Sequence, residues 1–237
     1  MEHQTINLQG KGVKVFYGKL YNHDYLWFSS TEISKIITTI PVIHNYALSY
    51  ALSNFSYGIF EGNKPRYFDD LKQMNIYATP AINLQASKIT ISFNAMDDLT
   101  LTTGDSKKSN TPNIGKRVYV NPIYETNNSY YSLRQFRLYA FCLKNAIPPS
   151  VIRVGKKGCS CRIHWEEILN PVAKLETQFF KPTHPVNPLD VSGEIDAFDL
   201  VNIPPHSFFR TAKIKNDWVI RVKEHCILLP KLIRERI

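Results

Sequence analysis

The stretch VIRVGKKGCSCRIHW, residues 151–165, holds the side chains of this chain most able to do chemistry. Cys159 and Cys161 followed by His164 could ligate a metal. Gly155-Lys156-Lys157-Gly158, set between two alternating runs, could form a tight turn that grips a phosphate. Geometry separates the two readings. Residues two apart on a strand share a face, so Cys159 and Cys161 point with Ile163 and Trp165 while His164 points the other way. Zinc takes about four converging ligands, and no second CxC, CxxC or HxxxH pattern supplies the remainder. The cysteines read as small buried hydrophobes, and neither a metal nor another cofactor is expected.

The turn has more support. Two glycines admit left-handed backbone angles that aim consecutive amides into one concavity. Lys156 and Lys157 add point charges, and Arg153 and Arg162 extend the positive track along both arms. The charge distribution agrees. Residues 101–162 carry eleven Lys or Arg against Asp105 and Glu125, and the flanking segments balance, so the whole formal excess of +9 lies there. Segregation of this kind points to a polyanionic partner. Within it, residues 133–143 alternate Arg134 and Arg137 with Phe136, Tyr139 and Phe141. Single-stranded nucleic acid uses that combination, backbone on cations and bases on rings; packing in the core is the competing duty for the same rings.

Catalytic constellations are scarce. The sequence holds no Gly-x-Ser-x-Gly, no P-loop and no Gly-x-Gly-x-x-Gly. His44 and Tyr46 with Lys156 have the chemistry of a general acid and base in a metal-independent ribonuclease, but sequence alone does not bring them together.

The elements that must position these residues are mostly strands. A first strand runs from Val13 towards Tyr21. Ser29 and Glu32 make a capping-box pattern that predicts a helix to about Thr39, ended by Pro41. A second helix is predicted where Ile43, Tyr46, Ala47, Tyr50 and Ala51 share a face, and a short helix or turn from Asp69 to Met74. Residues 87–93 form the cleanest strand. Residues 94–117, rich in turn formers, read as a protruding hairpin or arm carrying Lys107, Lys108, Lys116 and Arg117. Residues 181–205 look Pro-rich and irregular, and a last hairpin is expected over 208–222. The class is α+β. Four cysteines in 237 residues make no disulfide framework. The polar start and the lack of an apolar run near the roughly 18 residues that cross a bilayer predict a cytoplasmic chain away from membranes.

With these residues in view the chain resembles the Cas-five-type (Csc-one) family of type I-D CRISPR surveillance complexes. The resemblance rests on Ile43-His44-Asn45-Tyr46-Ala47-Leu48-Ser49-Tyr50-Ala51-Leu52, on Tyr77-Ala78-Thr79-Pro80-Ala81 and on Phe93-Asn94-Ala95-Met96-Asp97-Asp98. It also rests on Asn187-Pro188-Leu189-Asp190-Val191, on Phe198-Asp199-Leu200 and on the Val154–Cys159 turn. It implies one Cas-five-like domain over 1–237. Residues 13–93 and 118–165 would form an RNA-recognition-motif (ferredoxin-like) core, 94–117 an inserted β-hairpin thumb, and 166–237 a strand-rich C-terminal part. The implied duty is to hold the 5′ handle of the CRISPR RNA and cap a filament of Cas-seven-type subunits. A large Cas-ten-type subunit would lie alongside, with target DNA and its flanking PAM within reach. In such assemblies pairing by the guide reads sequence while protein reads backbone and shape. Another subtype uses its Cas-five-type subunit as the processing ribonuclease. Type I-D complexes have a separate one, so no catalytic residue carries over, and His44 and Tyr46 are expected to pack or to contact RNA.

Overall fold

The structure, a computed structural model, describes residues 4–33, 36–53, 66–94, 114–123 and 135–237. After a short edge strand, β1 (Thr5–Asn7), the alternating run becomes the long strand β2 (Lys14–Asn22). The expected helix after Ser29 is instead a hairpin, β3 (Thr31–Ile33) and β4 (Ile36–Thr38). Thr31, Ile33, Ile36, Ile37, Thr38, Thr39 and Ile40 are β-branched and stiff at χ1, which favours strands. Hydroxyls of this segment bond across the hairpin: Ser30 Oγ accepts from the Ile40 amide at 3.1 Å and Thr39 Oγ1 donates to the Phe28 carbonyl at 2.9 Å.

Next come β5 (Val42–Ile43), the expected amphipathic helix α1 (Asn45–Ser53) and α2 (Tyr67–Gln73). Strands β6 (Ile76–Ala78) and β7 (Ala81–Ile82) are two short pieces in succession, broken at Thr79-Pro80. Proline cannot donate to a ladder, and Thr79 Oγ1 fills the gap by accepting from the Tyr139 amide at 3.0 Å. Strands β8 (Lys88–Asn94) and β9 (Ile114–Val120) are antiparallel legs of the 94–117 excursion, and β4 joins β9 in parallel. Residues 95–113, with Lys107 and Lys108, lie outside the described residues, as does Arg134.

Strands β10 (Phe136–Cys142), β11 (Val151–Val154) and β12 (Cys159–Ile168) complete the central sheet. Its order is β11-β12-β2-β10-β7-β5, with β6 beside β7 on β10, all antiparallel. The connection from β10 to β12 runs through the edge strand β11 and contains no α-helix. Strands β13 (Val172–Glu176), β16 (Asp217–Val222) and β17 (His225–Leu228) form a second sheet with β1. Strands β14 (Glu194–Val201) and β15 (Phe208–Lys215) make a separate ribbon, and helix α3 (Lys231–Arg234) ends the chain.

Two further expectations are corrected here. The span 181–205 contains β14, and the segments 208–214 and 218–222 are not a hairpin with each other, since β15 pairs with β14 while β16 pairs with β13 and β17. Asn216, at φ +55°, turns the chain between the two sheets. The buried Asp217 carboxylate holds the junction by accepting from the amides of Ser192, Gly193 and Trp218 at 2.7–2.9 Å.

Both faces of the central sheet are covered over much of their area. Leu20, Leu138, Ala140, Cys161 and Ile163 meet Leu48 and Leu52 of α1 on one side. Val15, Tyr17, Tyr139 and Phe141 meet Ala173, Ile220 and Ile227 of the second sheet on the other. Each fully buried aliphatic or aromatic side chain contributes roughly 1.5–3 kcal/mol from its removal from water. Phe136, Tyr139 and Phe141 are all in this core. The four cysteines are buried and free, as small hydrophobes would be, and burial pushes the Cys142 thiol up to about 12. Among the described residues no helix is long and apolar enough to cross a membrane.

A buried polar chain ties α1 to the C-terminal part. Asn45 Nδ2 donates to the Tyr77 hydroxyl at 2.8 Å, that hydroxyl donates to Asp190 at 2.7 Å, and Asn187 Nδ2 donates to Asn45 Oδ1 at 3.3 Å. Loss of solvent raises Asp190 to about 7; the Tyr77 hydrogen bond pulls it back and Asp217 pushes it further up. The unfolded carboxyl ionises near about 3.9, so Asp190 favours folding while protonated. That stability is lost as pH rises through the folded value, and no further change comes from it above. Asp190→Asn removes the titration. In urea unfolding it should gain steadily on the parent between about pH 4 and 7 and hold a constant difference above; a pH-independent difference would contradict the account.

Candidate nucleic-acid interface

The turn between β11 and β12 adopts the backbone its sequence predicts, with Gly155 at φ +83° and Gly158 at φ +63°. Its amides do not form the open concavity expected of them. The Lys156 amide donates to the Trp27 carbonyl at 3.0 Å and the Gly158 amide to the Gly155 carbonyl at 3.0 Å, so both are spent inside the protein. Arg153 Nη1 donates to the Gly158 carbonyl at 3.2 Å and braces the turn. What the turn presents is side chains.

Those side chains converge on rings that sequence reasoning missed. The Lys156 ammonium sits 5.3 Å from the Trp27 ring centre and the Arg117 guanidinium 4.6 Å from it; the Lys157 ammonium lies 5.5 Å from the Tyr119 ring. Trp27 and Tyr119 are 6.2 Å apart, and Tyr25 is edge-on to Tyr119. Cation–π attraction of about 0.5–2 kcal/mol each helps hold three like charges together. Lys156 and Lys157 are exposed and form no ion pair among the described residues. Two adjacent cations without a counter-charge, fixed over rings, suit a phosphate backbone. A signal for the rings existed: Arg117 and Tyr119 stand two apart on a strand, and so share a face.

Lys156 also closes one end of a cleft along α1. A cavity of about 410 Å³ is walled by Phe28, Tyr46, Tyr50, Tyr67 and the Pro204-Pro205 pair, with His44 and Lys156 in its lining. A shallower extension reaches Arg153 and Gly155. Tyr46 stacks on Tyr67 at 5.1 Å. Of the three residues that could act as acid and base, the structure thus brings all to one cavity. His44 is, however, fully engaged: Nε2–H donates to the His206 carbonyl at 3.0 Å, and Nδ1 accepts from the Tyr46 amide at 3.2 Å. Burial lowers its pKa to about 4, so the ring is neutral at pH 7, and burial raises the Tyr46 phenol.

The remaining predicted residues lie elsewhere. Arg137 and Arg162 are exposed on the face of the central sheet opposite α1, and Lys116 is exposed on β9. Lys19 and His164 stand in the same cross-strand row as Arg137. Among the described residues no group of three His, Cys, Asp or Glu side chains is placed to hold a metal ion.

The fold and this surface define a strand-rich α+β protein with a cation-and-ring cleft at a glycine turn. The sequence model of the family described as Type I-D CRISPR-associated protein Cas5/Csc1 matches residues 13–234, and the chain belongs to that family. Among solved structures it is similar to a chain of the Type III-B Cmr-beta bound to cognate target RNA and AMPPnP. That loose likeness has a TM-score of 0.44 and 11% identity over 86% of each chain. No curated protein matches the sequence.

A Cβ at Gly155 would stand 2.9 Å from the Trp27 carbonyl oxygen, whereas one at Gly158 meets nothing within 4 Å. Gly158→Ala should cost about 1 kcal/mol, the left-handed backbone penalty alone. Gly155→Ala should cost about 2 kcal/mol or more and shift the turn away from Trp27. Chemical denaturation with Trp27 fluorescence reads both, and equal costs would contradict the close approach.

Proposed function

We propose that this chain is a non-catalytic RNA-binding subunit of a type I-D CRISPR surveillance complex. It holds the 5′ handle of the CRISPR RNA and caps one end of the backbone filament in antiviral defence. Its protein neighbours are the first Cas-seven-type filament subunit and the large Cas-ten-type subunit, and target DNA passes close by on the PAM side. The observation that carries this reading is the convergence of Lys156, Lys157 and Arg117 on Trp27 and Tyr119 at the mouth of an aromatic cleft. Cations on the strand and rings beside them are what a single-stranded end requires. The strand order β12-β2-β10-β6/β7, with α1 crossing one face, supports an RNA-recognition-motif ancestry in which strand β11 replaces the second crossover helix. The arm over 94–117, with Lys107, Lys108, Lys116 and Arg117, is the thumb of this proposal.

Replacing Lys156 and Lys157 by Gln tests it. Binding of handle RNA to the full chain should weaken, and the slope of log K against log salt should become shallower by about 0.7 for each phosphate no longer neutralised. An unchanged slope would remove the turn from the interface.

One observation favours a second reading, a metal-independent endoribonuclease: His44, Tyr46 and Lys156 line one cavity. Against it, both His44 ring nitrogens are held by backbone and the ring is kept neutral, so proton transfer would first require breaking those bonds. Incubation with repeat RNA in EDTA should leave the RNA intact. Site-specific cleavage that is lost in His44→Ala would overturn the non-catalytic proposal.

A further inference from the structure

The central sheet has a second unfilled feature, on the face away from α1. Where the second sheet ends, a cavity of about 570 Å³ opens between β10 and the segments 183–185 and 224–225. Tyr17 and Tyr139 line it, together with Arg137 of β10 and Gln135 just before that strand. The volume is that of a small-molecule site and far exceeds what one trapped water fills.

We propose that this cavity takes one nucleotide whose base carries an exocyclic amino group, a second contact that rests on the RNA-binding reading above. One buried acceptor in the lining lacks a partner. Gln135 is only 4% exposed and its Oε1 is buried without a hydrogen-bond partner, and the exposed Glu224 is the one carboxylate among the described residues of the lining. A buried carbonyl left unpaired costs roughly 1–3 kcal/mol, so the site favours an occupant that donates. Three other polar side chains of the lining are engaged. The Tyr139 hydroxyl is 2.7 Å from His225 Nδ1; His184 Nδ1–H donates to the Pro185 carbonyl, and His184 Nε2 accepts from the Leu228 amide.

The rim has the opposite character. Arg137 lines the cavity, Lys19 and His164 continue its cross-strand row along the same face, and Arg162 and Glu166 stand in the neighbouring rows. Arg137 at the exposed edge suits a phosphate, and the buried Gln135 carbonyl suits the amino group of a base that enters. Arg137 and the neighbouring Lys19 disfavour a basic peptide side chain, the other donor that Gln135 and Glu224 would accept. Adenine and cytosine present such an amino group, and uracil presents a carbonyl in its place.

Cytidine and uridine octamers differ at this feature and have the same backbone, so they test the site in the full chain by fluorescence anisotropy. The wild type should bind C8 about tenfold more tightly than U8, the worth of one buried hydrogen bond. Gln135→Leu should bring C8 down to the U8 affinity, whereas Lys156→Gln with Lys157→Gln should weaken both octamers by the same factor. If millimolar cytidine 5′-monophosphate erases the C8 preference, the pocket also accepts a free nucleotide. If the preference persists, the pocket takes the base only within a strand. Equal binding of C8 and U8 by the wild type, or a preference that survives in Gln135→Leu, would overturn this site and leave the Lys156–Lys157 grip standing. The wild-type comparison decides alone should the variant not fold. Failure to bind either octamer would instead remove the RNA reading on which the site rests.

Discussion

Much of this surface depends on one backbone contact, the Lys156 amide on the Trp27 carbonyl with Gly155 pressed beneath it. It pins the β11–β12 turn to the segment before β3 and so brings Lys156 and Lys157 over Trp27 and Tyr119. Arg117, from β9, reaches the same Trp27 ring. Without that hydrogen bond the cations belong to two separate hairpins. With it they form one patch, and the cost of gathering like charges is met in part by the rings and is relieved further by any anion that binds. The Lys156 and Gly158 amides are consumed in building the patch, so what it chiefly presents to a ligand is its lysine side chains.

A second constraint sits deeper. Asn45, Tyr77, Asn187 and Asp190 come from three of the stretches that carry the family resemblance, and they meet in one buried hydrogen-bonded chain. Those residues are therefore structural in this protein. They hold the start of α1 against the C-terminal part and thereby fix one wall of the cleft into which Lys156 reaches. A buried network of this kind specifies one arrangement because any break leaves a polar group unsatisfied. The resemblance located the family through its internal scaffolding, while the cationic surface was found by charge and turn chemistry.

The sequence was legible where local rules act alone. β2, β8, β11, β12 and α1 follow from alternation or helical spacing, and the two positive-φ glycines follow from the turn they bracket. It misled where local rules conflict. Ser29 and Glu32 mimic a capping box, but the β-branched residues after them prevail and place a hairpin beside β9. It was silent where partners are remote. Nothing local tells β15 and β16 to join different sheets; a single left-handed Asn216 and the buried Asp217 do that. Likewise the glycine-lysine turn is readable, but Trp27, which organises it, lies far back in the chain and is joined to it only by the fold.

The central claim is that the turn and its rings hold the backbone of a single RNA strand. Ultraviolet cross-linking of the RNA that co-purifies with this chain, followed by mass spectrometry of the adducts, tests it most directly. The account predicts nucleotides from a constant 5′ end attached to peptides containing Lys156 and Lys157, or to the Tyr119 segment beside them. Cross-links confined to other surfaces, or RNA with no common 5′ end, would contradict it.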